Sequence, residues 1–231
     1  MRILSVDFAG AIGAPGGPAP AEALPEIAFA GRSNVGKSSL INRLLGRTRT
    51  QMARVSARPG KTREINFYRV RARLDDQGED GEVAFHLVDL PGYGFARVPE
   101  SVRESWGRMI DRYLGESGRL RGVVHLVDAR HGPKPDDRRL IDFLAATGIP
   151  VLVVATKVDK VRRSERDRNL ARVVGILGVD GEQVLPFSAH SGEGRDELLA
   201  ALDHLIDGEG AAGVGAEAPV PSGPVSGGGT S

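Results

Sequence analysis

Eight residues, Gly31-Arg32-Ser33-Asn34-Val35-Gly36-Lys37-Ser38, obey the spacing G-x-x-x-x-G-K-[ST]. They follow the apolar run Ile27 to Ala30 and lead into a helical pattern from Ser39 to Leu45, the strand–loop–helix setting in which this spacing carries a chemistry. Its glycines let the backbone wrap a chain of phosphates, while successive N–H groups and a helix N-terminus supply positive potential. Lys37 then reaches the β- and γ-phosphates, and the Ser38 hydroxyl ligates Mg²⁺. A second element, Val88-Asp89-Leu90-Pro91-Gly92, places a D-x-x-G at the end of another apolar run. There Asp89 holds Mg²⁺ through water, and the Gly92 N–H, unobstructed by a side chain, meets the γ-phosphate. Lys37 and Gly92 are thus the groups that stabilise charge as the terminal phosphate leaves.

The base is read elsewhere. Guanine differs from adenine by presenting N1–H and N2–H₂ donors on one edge, and a carboxylate accepting both selects it. Asp159 is the candidate, in Thr156-Lys157-Val158-Asp159-Lys160 after the run Val151 to Ala155, where the Lys157 stem also covers one purine face. Phe187-Ser188-Ala189 closes the next run with small residues whose backbone N–H groups meet guanine O6. Ser39, Leu90, Pro91 and Lys160 complete the nucleotide-contacting set.

These loops need a scaffold that puts strand ends side by side. Short continuous apolar runs alternate with amphipathic stretches along the chain, the pattern of a doubly wound, mainly parallel α/β sheet with helices on both faces. Ile65 to Leu74 alternates like an antiparallel edge strand, and the charged linker Asp75 to Glu82 turns it as a hairpin into the next strand. Ligands of such sheets sit at the carboxyl ends of the strands, where both motifs fall. Residues 1–20 read as a short strand and a flexible linker, with Ala9 to Pro20 as the linker. The nucleotide-binding domain spans 21–207, and 208–231 is a Gly/Pro-rich tail expected to be disordered.

The chain has 231 residues, with 31 Lys+Arg against 30 Asp+Glu and no cysteine, which excludes disulfides, thiolate zinc sites and cysteine nucleophiles. Its start lacks the pattern of a secretory leader, and no run approaches the ~20 apolar residues of a membrane span, so the cytoplasm is the expected compartment and no membrane the expected partner. Only five of the basic residues are lysines: Lys37, Lys61, Lys134, Lys157 and Lys160. Arg replaces Lys where a solvated charge suffices but not where a compact ammonium must enter a pocket, which singles these five out. The histidines at 86, 125, 131, 190 and 204 show no metal-ligand spacing. Val102, Trp106, Met109, Ile110 and Tyr113 form a helical stripe of the core-facing kind.

The order GRSNVGKS, DLPG, TKVD, FSA resembles a translation-factor-type GTPase domain. More narrowly, with Leu24-Pro25-Glu26 before the first strand, Arg58-Pro59-Gly60-Lys61-Thr62 and Asp89-Leu90-Pro91-Gly92-Tyr93-Gly94, it resembles the ribosome-biogenesis GTPases of the EngB/YsxC kind, within the TrmE-Era-EngA-EngB-septin-like P-loop superfamily. The resemblance implies a GTP/GDP switch acting in large-subunit assembly, with the large ribosomal subunit precursor and its rRNA as partners, and links the family with cell division and septation. It implies that Thr62, beside Gly60 and Lys61, is the first-switch threonine that ligates Mg²⁺ directly, with Ser38, and closes over the γ-phosphate as a catalytic residue. Asn34, where potassium-activated relatives carry Asn, points to K⁺ as a second cation. Thr156 stands where the usual base motif has Asn, and is expected to remove an amide that braces the phosphate loop.

In many GTPases a Gln after D-x-x-G orients the attacking water, and here that position is Tyr93, so slow intrinsic turnover is expected. Between Arg43 and Arg73 ten basic residues face Glu64 alone, and between Lys157 and Arg172 seven face three acids. Such patches attract polyanions by counterion release, and with Phe67 and Tyr68 the only aromatic pair in the first, contact with the backbone of structured RNA is expected over single-strand stacking. The whole reads as a monomeric GTPase. Two alternatives stay open: a nucleotide-gated RNA-binding module with negligible hydrolysis, and a P-loop ATPase or kinase.

Overall fold

In the computed structural model the described residues are 1–13, 19–46, 64–74, 81–93 and 100–207, the side chains of 100–106 and 207 excepted. Gly60, Lys61 and Thr62, residues 75–80 of the Asp75 to Glu82 hairpin linker and the tail at 208–231 lie outside them. Seven strands, β1 (Arg2–Gly13), β2 (Glu26–Gly31), β3 (Glu64–Arg73), β4 (Glu82–Asp89), β5 (Leu120–Asp128), β6 (Val151–Thr156) and β7 (Val184–Phe187), form one sheet in the order β1-β3-β4-β2-β5-β6-β7. From β4 to β7 neighbours are parallel, whereas β3 is antiparallel to both β4 and β1.

Among the described residues five helices cover the sheet: α1 (Lys37–Leu44), α2 (Glu100–Glu116), α3 (Pro135–Ala146), α4 (Arg163–Leu177) and α5 (Arg195–Asp207). The period of two along β2 assigns the layers. Ile27 and Phe29 enter a cluster with Leu40, Ile41 and Leu44 of α1 and Leu198, Leu202 and Ile206 of α5. Ala28 and Ala30 face the opposite cluster, with Leu114, Met109, Ile110 and Tyr113 of α2 and Leu144 of α3. The stripe on α2 is core at the three positions whose side chains are described. Ile141 of α3 meets Val173 and Leu177 of α4 over Val127 and Val153.

Two expectations change. β3 is not the edge: β1 pairs with its whole length, from Arg2 opposite Arg73 to Gly13 opposite Glu64. Ala9 to Gly13 are therefore strand, not linker. Register shifts between Ile3 and Ser5 and between Phe8 and Gly10 break the alternation that marks a strand in sequence. Met1 and Val6 are buried, and each such side chain stabilises by roughly 1.5–3 kcal/mol, more than a net edge hydrogen bond. Glu26, at the start of β2, is a carboxylate only 2% exposed. It accepts from Tyr113 Oη at 2.8 Å and Ser117 Oγ at 2.7 Å, with Arg119 Nε at 3.6 Å, so α2 and the chain after it satisfy the charge that precedes the apolar run.

Candidate nucleotide-binding site

The loop between β2 and α1 is bent by two residues in the left-handed region, Asn34 (φ 63°) and Gly36 (φ 108°). A Cβ on Gly31 would come within 3.0 Å of Leu126 O and Val35 Cγ1, so β5 and the loop close on this glycine. The sheet order sets β2 between β4 and β5, which brings Asp89 and Asp128 to either side of the loop. Lys37, buried on the first turn of α1, donates to Asp89 Oδ1, and both side chains are under a tenth exposed. The hydroxyl of Ser38 and the carboxylate of Asp89 are hard oxygen donors of the kind Mg²⁺ takes. When bound, that ion neutralises phosphate charge; the third expected oxygen, on Thr62, lies outside the described residues.

The D-x-x-G segment rests on the phosphate loop. Ser33 N–H donates to Tyr93 O at 3.0 Å and Ser33 Oγ to the same oxygen at 3.3 Å, while Tyr93 N–H reaches Gly31 O at 3.4 Å. Gly92 lies so close that a Cβ there would be 3.0 Å from Ser33 Oγ and 3.3 Å from its backbone nitrogen. The Tyr93 side chain leaves toward α3, with its ring parallel to that of His125 (centroids 6.3 Å apart) and its hydroxyl donating to Asp137 Oδ1 at 2.7 Å. Burial, and then the Asp137 carboxylate, push the phenol well above its usual range, so it remains a donor. Burial opposes ionisation of Asp137, yet the neighbouring His125 ring and hydrogen bonds from the Tyr93 hydroxyl and the Lys134 N–H hold its carboxyl below the ordinary value.

Thr156, expected to leave the loop unbraced, braces it. Its hydroxyl, 3% exposed, donates to Val35 O at 2.6 Å and lies 3.1 Å from Val127 O. Lys157 (φ 62°) sends its stem past Gly36 and donates to Asn34 O at 2.6 Å and Asp128 Oδ2 at 2.9 Å. Arg130 grips the same carboxylate with Nε at 2.9 Å and Nη2 at 2.7 Å. Burial raises Asp128, but Arg130 and Lys157 hold it well below the carboxylate range. Asp128, Arg130, His125 and Asp137 were not singled out in the sequence. Asp128 alone carries a signal, as the carboxylate directly after the run Val123 to Val127.

Asp159 sits exposed in a 3-10 turn (Val158–Lys160) and accepts from the buried Ser188 hydroxyl at 2.7 Å. The Ser188 N–H is committed to Glu193 O at 2.9 Å, so of the two small residues Ala189 is the one left to meet a ligand oxygen. Phe187 is wholly buried core, and Lys160 is exposed. Beside the loop a cavity of about 320 Å³ is lined by Arg32, Asn34, Asp128, Lys134, Asp137 and Lys157 among others.

The basic surface is less bare than its sequence suggests. Arg69 is paired with Glu22 at 2.7 Å, and Arg71 and Arg73 share Glu82 at 2.7 and 3.3 Å. Both acids lie outside the segment in which Glu64 stood alone. Phe67 and Tyr68 are buried and offer no stacking platform. Of the second cluster, Arg166 pairs with Glu193 at 2.8 Å. Among the described residues no three His, Cys, Asp or Glu side chains gather to hold a metal, and no helix is long and apolar enough to cross a membrane.

Residues 26–157 match a family described as "50S ribosome-binding GTPase", and residues 116–207 match the elongation factor Tu GTP-binding domain. The chain is 46% identical over 206 residues to a probable GTP-binding protein EngB of Gemmatimonas aurantiaca, covering 89% of this chain and 95% of that protein. It is 44% identical over 189 residues to the probable GTP-binding protein EngB of Bacillus subtilis, covering 81% and 90%. A crystal structure of a probable GTP-binding protein EngB superposes with a TM-score of 0.60 at 27% identity, over 79% of this chain and 98% of that one. The phosphate loop and the Asp89–Gly92 segment both fall inside the matched region, and the chain belongs to the EngB family of P-loop GTPases.

Proposed function

We propose that this GTPase is a cytoplasmic, monomeric switch that hydrolyses GTP slowly and acts in assembly of the large ribosomal subunit through contact with rRNA. The observation that carries the nucleotide reading is the adjacency of three devices: Asp159 oriented by Ser188, Lys157 tied to the phosphate loop, and Lys37 facing Asp89. A guanine seated on Asp159 lies beside the Lys157 stem, with its O6 toward Ala189. Its phosphates then run into the loop, where Lys37 exchanges Asp89 for the β- and γ-phosphates; the freed Asp89, with the Ser38 hydroxyl, would hold a Mg²⁺ that neutralises phosphate charge. Thr62 and the Gly92 N–H close on the γ-phosphate. Tyr93, committed to Asp137, orients no water, so intrinsic turnover is slow; a partner, or a K⁺ ion that Asn34 would help to hold, would supply the missing stabilisation, worth ~10³–10⁵ in rate for a well-placed cation.

The ribosomal part rests on the description of the matched family and on the arginines. The pairs of Arg69, Arg71 and Arg73 lie at the surface, where solvent and salt screen them, so a phosphate backbone displaces them readily. The direct test is steady-state hydrolysis of GTP and of ATP in K⁺ and in Na⁺ buffer, with and without purified large subunits, using Lys37→Ala as the blank. Slow GTP-specific turnover stimulated by large subunits is expected. Tight GTP binding without stimulation would instead favour a nucleotide-gated RNA-binding module, the reading that the engaged Tyr93 supports second. Equal rates in the two buffers would remove K⁺ from the scheme.

A further inference from the structure

Tyr93 occupies the position of the missing glutamine, and its hydroxyl has a fixed acceptor. Asp137 is 2% exposed, and its second oxygen takes the Lys134 N–H at 2.6 Å, which clamps the carboxylate to the first turn of α3. His125, fully buried, backs the pair, with Nδ1 3.4 Å from the Tyr93 hydroxyl and Nε2 3.5 Å from Asp137 Oδ1. On the backbone side Tyr93 is bridged to Gly31 and Ser33, with Gly92 against Ser33. The segment that must meet a γ-phosphate is therefore held at one end by a side chain on α3 and along its length by the phosphate loop. In this arrangement Lys37 and Asp89 are bonded to each other.

We propose that Tyr93 is a positioning residue of the second switch: its hydroxyl bond to Asp137 holds the Asp89–Gly92 segment with Gly92 against Ser33, and so opposes GTP, which draws Gly92 to its terminal phosphate, more than GDP. The inference rests on the GTP-switch reading above. Either nucleotide draws Lys37 from Asp89 to its β-phosphate, but only GTP demands that Gly92 move to the terminal phosphate. A contact present in only one of two conformers biases ligands by their differential affinity for the two. A hydrogen bond to a charged acceptor sets the scale of that bias at about tenfold or somewhat more.

The experiment is calorimetric titration of the full chain with Mg·GDP and with a non-hydrolysable Mg·GTP analogue, for wild type, Tyr93→Phe, Asp137→Asn and the double variant. Tyr93→Phe keeps the ring over His125 and removes only the hydroxyl. The expected result is about tenfold tighter binding of the GTP analogue with GDP affinity within about twofold of wild type. Asp137→Asn should shift the same ratio in the same direction, and the double variant should gain little beyond either single change. A ratio of GTP-analogue to GDP affinity unchanged in both single variants would overturn the latch, because a merely structural role weakens both ligands alike. Wild type that binds neither nucleotide would overturn the switch reading and the latch with it.

Discussion

At the residue scale, the brace at Thr156 shows how a role passes between side chains of different shape. A hydroxyl on a β-branched residue is short, so it serves only if the loop carbonyl approaches closely, and Val35 O does, at 2.6 Å. The bond is buried, and Thr156→Val leaves Val35 O without its donor while keeping the volume. One neutral hydrogen bond contributes about 0.5–1.5 kcal/mol, so Thr156→Val should weaken GDP and GTP alike by roughly 2- to 10-fold. Titration of both nucleotides checks this, and unchanged affinity would show that Lys157 alone holds the loop. The phosphate-loop residues, Asp89 and Asp159 were legible because their spacing in one chain segment is itself the signal. Thr156 was misjudged because its acceptor is 121 positions away in sequence. The partners of Asp128 and Asp137 were invisible for the same reason.

At the element scale, strands and helices were legible where a period persists: β2 to β7 and the five helices fall where the apolar runs and amphipathic stretches predict. The edge was not. Two bulges hide β1, and the antiparallel character of β3 is evident from its alternation without revealing what lies beyond it. Contacts between elements follow from the order of the strands, which no local pattern encodes. Arg195 of α5, for instance, reaches Leu44 O at 3.1 Å and Arg43 O at 3.3 Å at the end of α1. The loop after β4 gives the clearest consequence. Because Gly92 abuts the Ser33 backbone, Gly92→Ala pushes the segment off the phosphate loop by a few tenths of an ångström and moves its N–H. Loss of one preorganised donor costs on the order of 10²-fold in rate, so Gly92→Ala should lower kcat by about that factor with GDP affinity nearly unchanged. Single-turnover hydrolysis and GDP titration separate the two, and unaltered turnover would mean that the Gly92 N–H does not touch the terminal phosphate.

At the scale of the whole molecule, the polar chemistry of the nucleotide end is balanced by a second buried polar group at the opposite end of the strands. His86 of β4 is fully buried, packs edge-on against Phe67 at 6.0 Å, and has no hydrogen-bond partner at either ring nitrogen. Burial lowers its pKa below the ordinary 6.5, and Arg119 and Arg69 push the same way against Glu26 and Glu22. The unfolded chain therefore takes up this proton first. Stability from neutral His86 is complete above about pH 6.5 and is lost as the pH falls from there toward the lowered folded value. Asp137 and Asp128 also have lowered values, but their contributions fade only in the acid range below the ordinary carboxylate pKa. The two windows do not overlap, so melting curves between pH 5 and 7 isolate the histidine. Tm should decline across that interval in the wild type, and His86→Leu should flatten the decline. An equally steep fall in His86→Leu would place the acid sensitivity elsewhere.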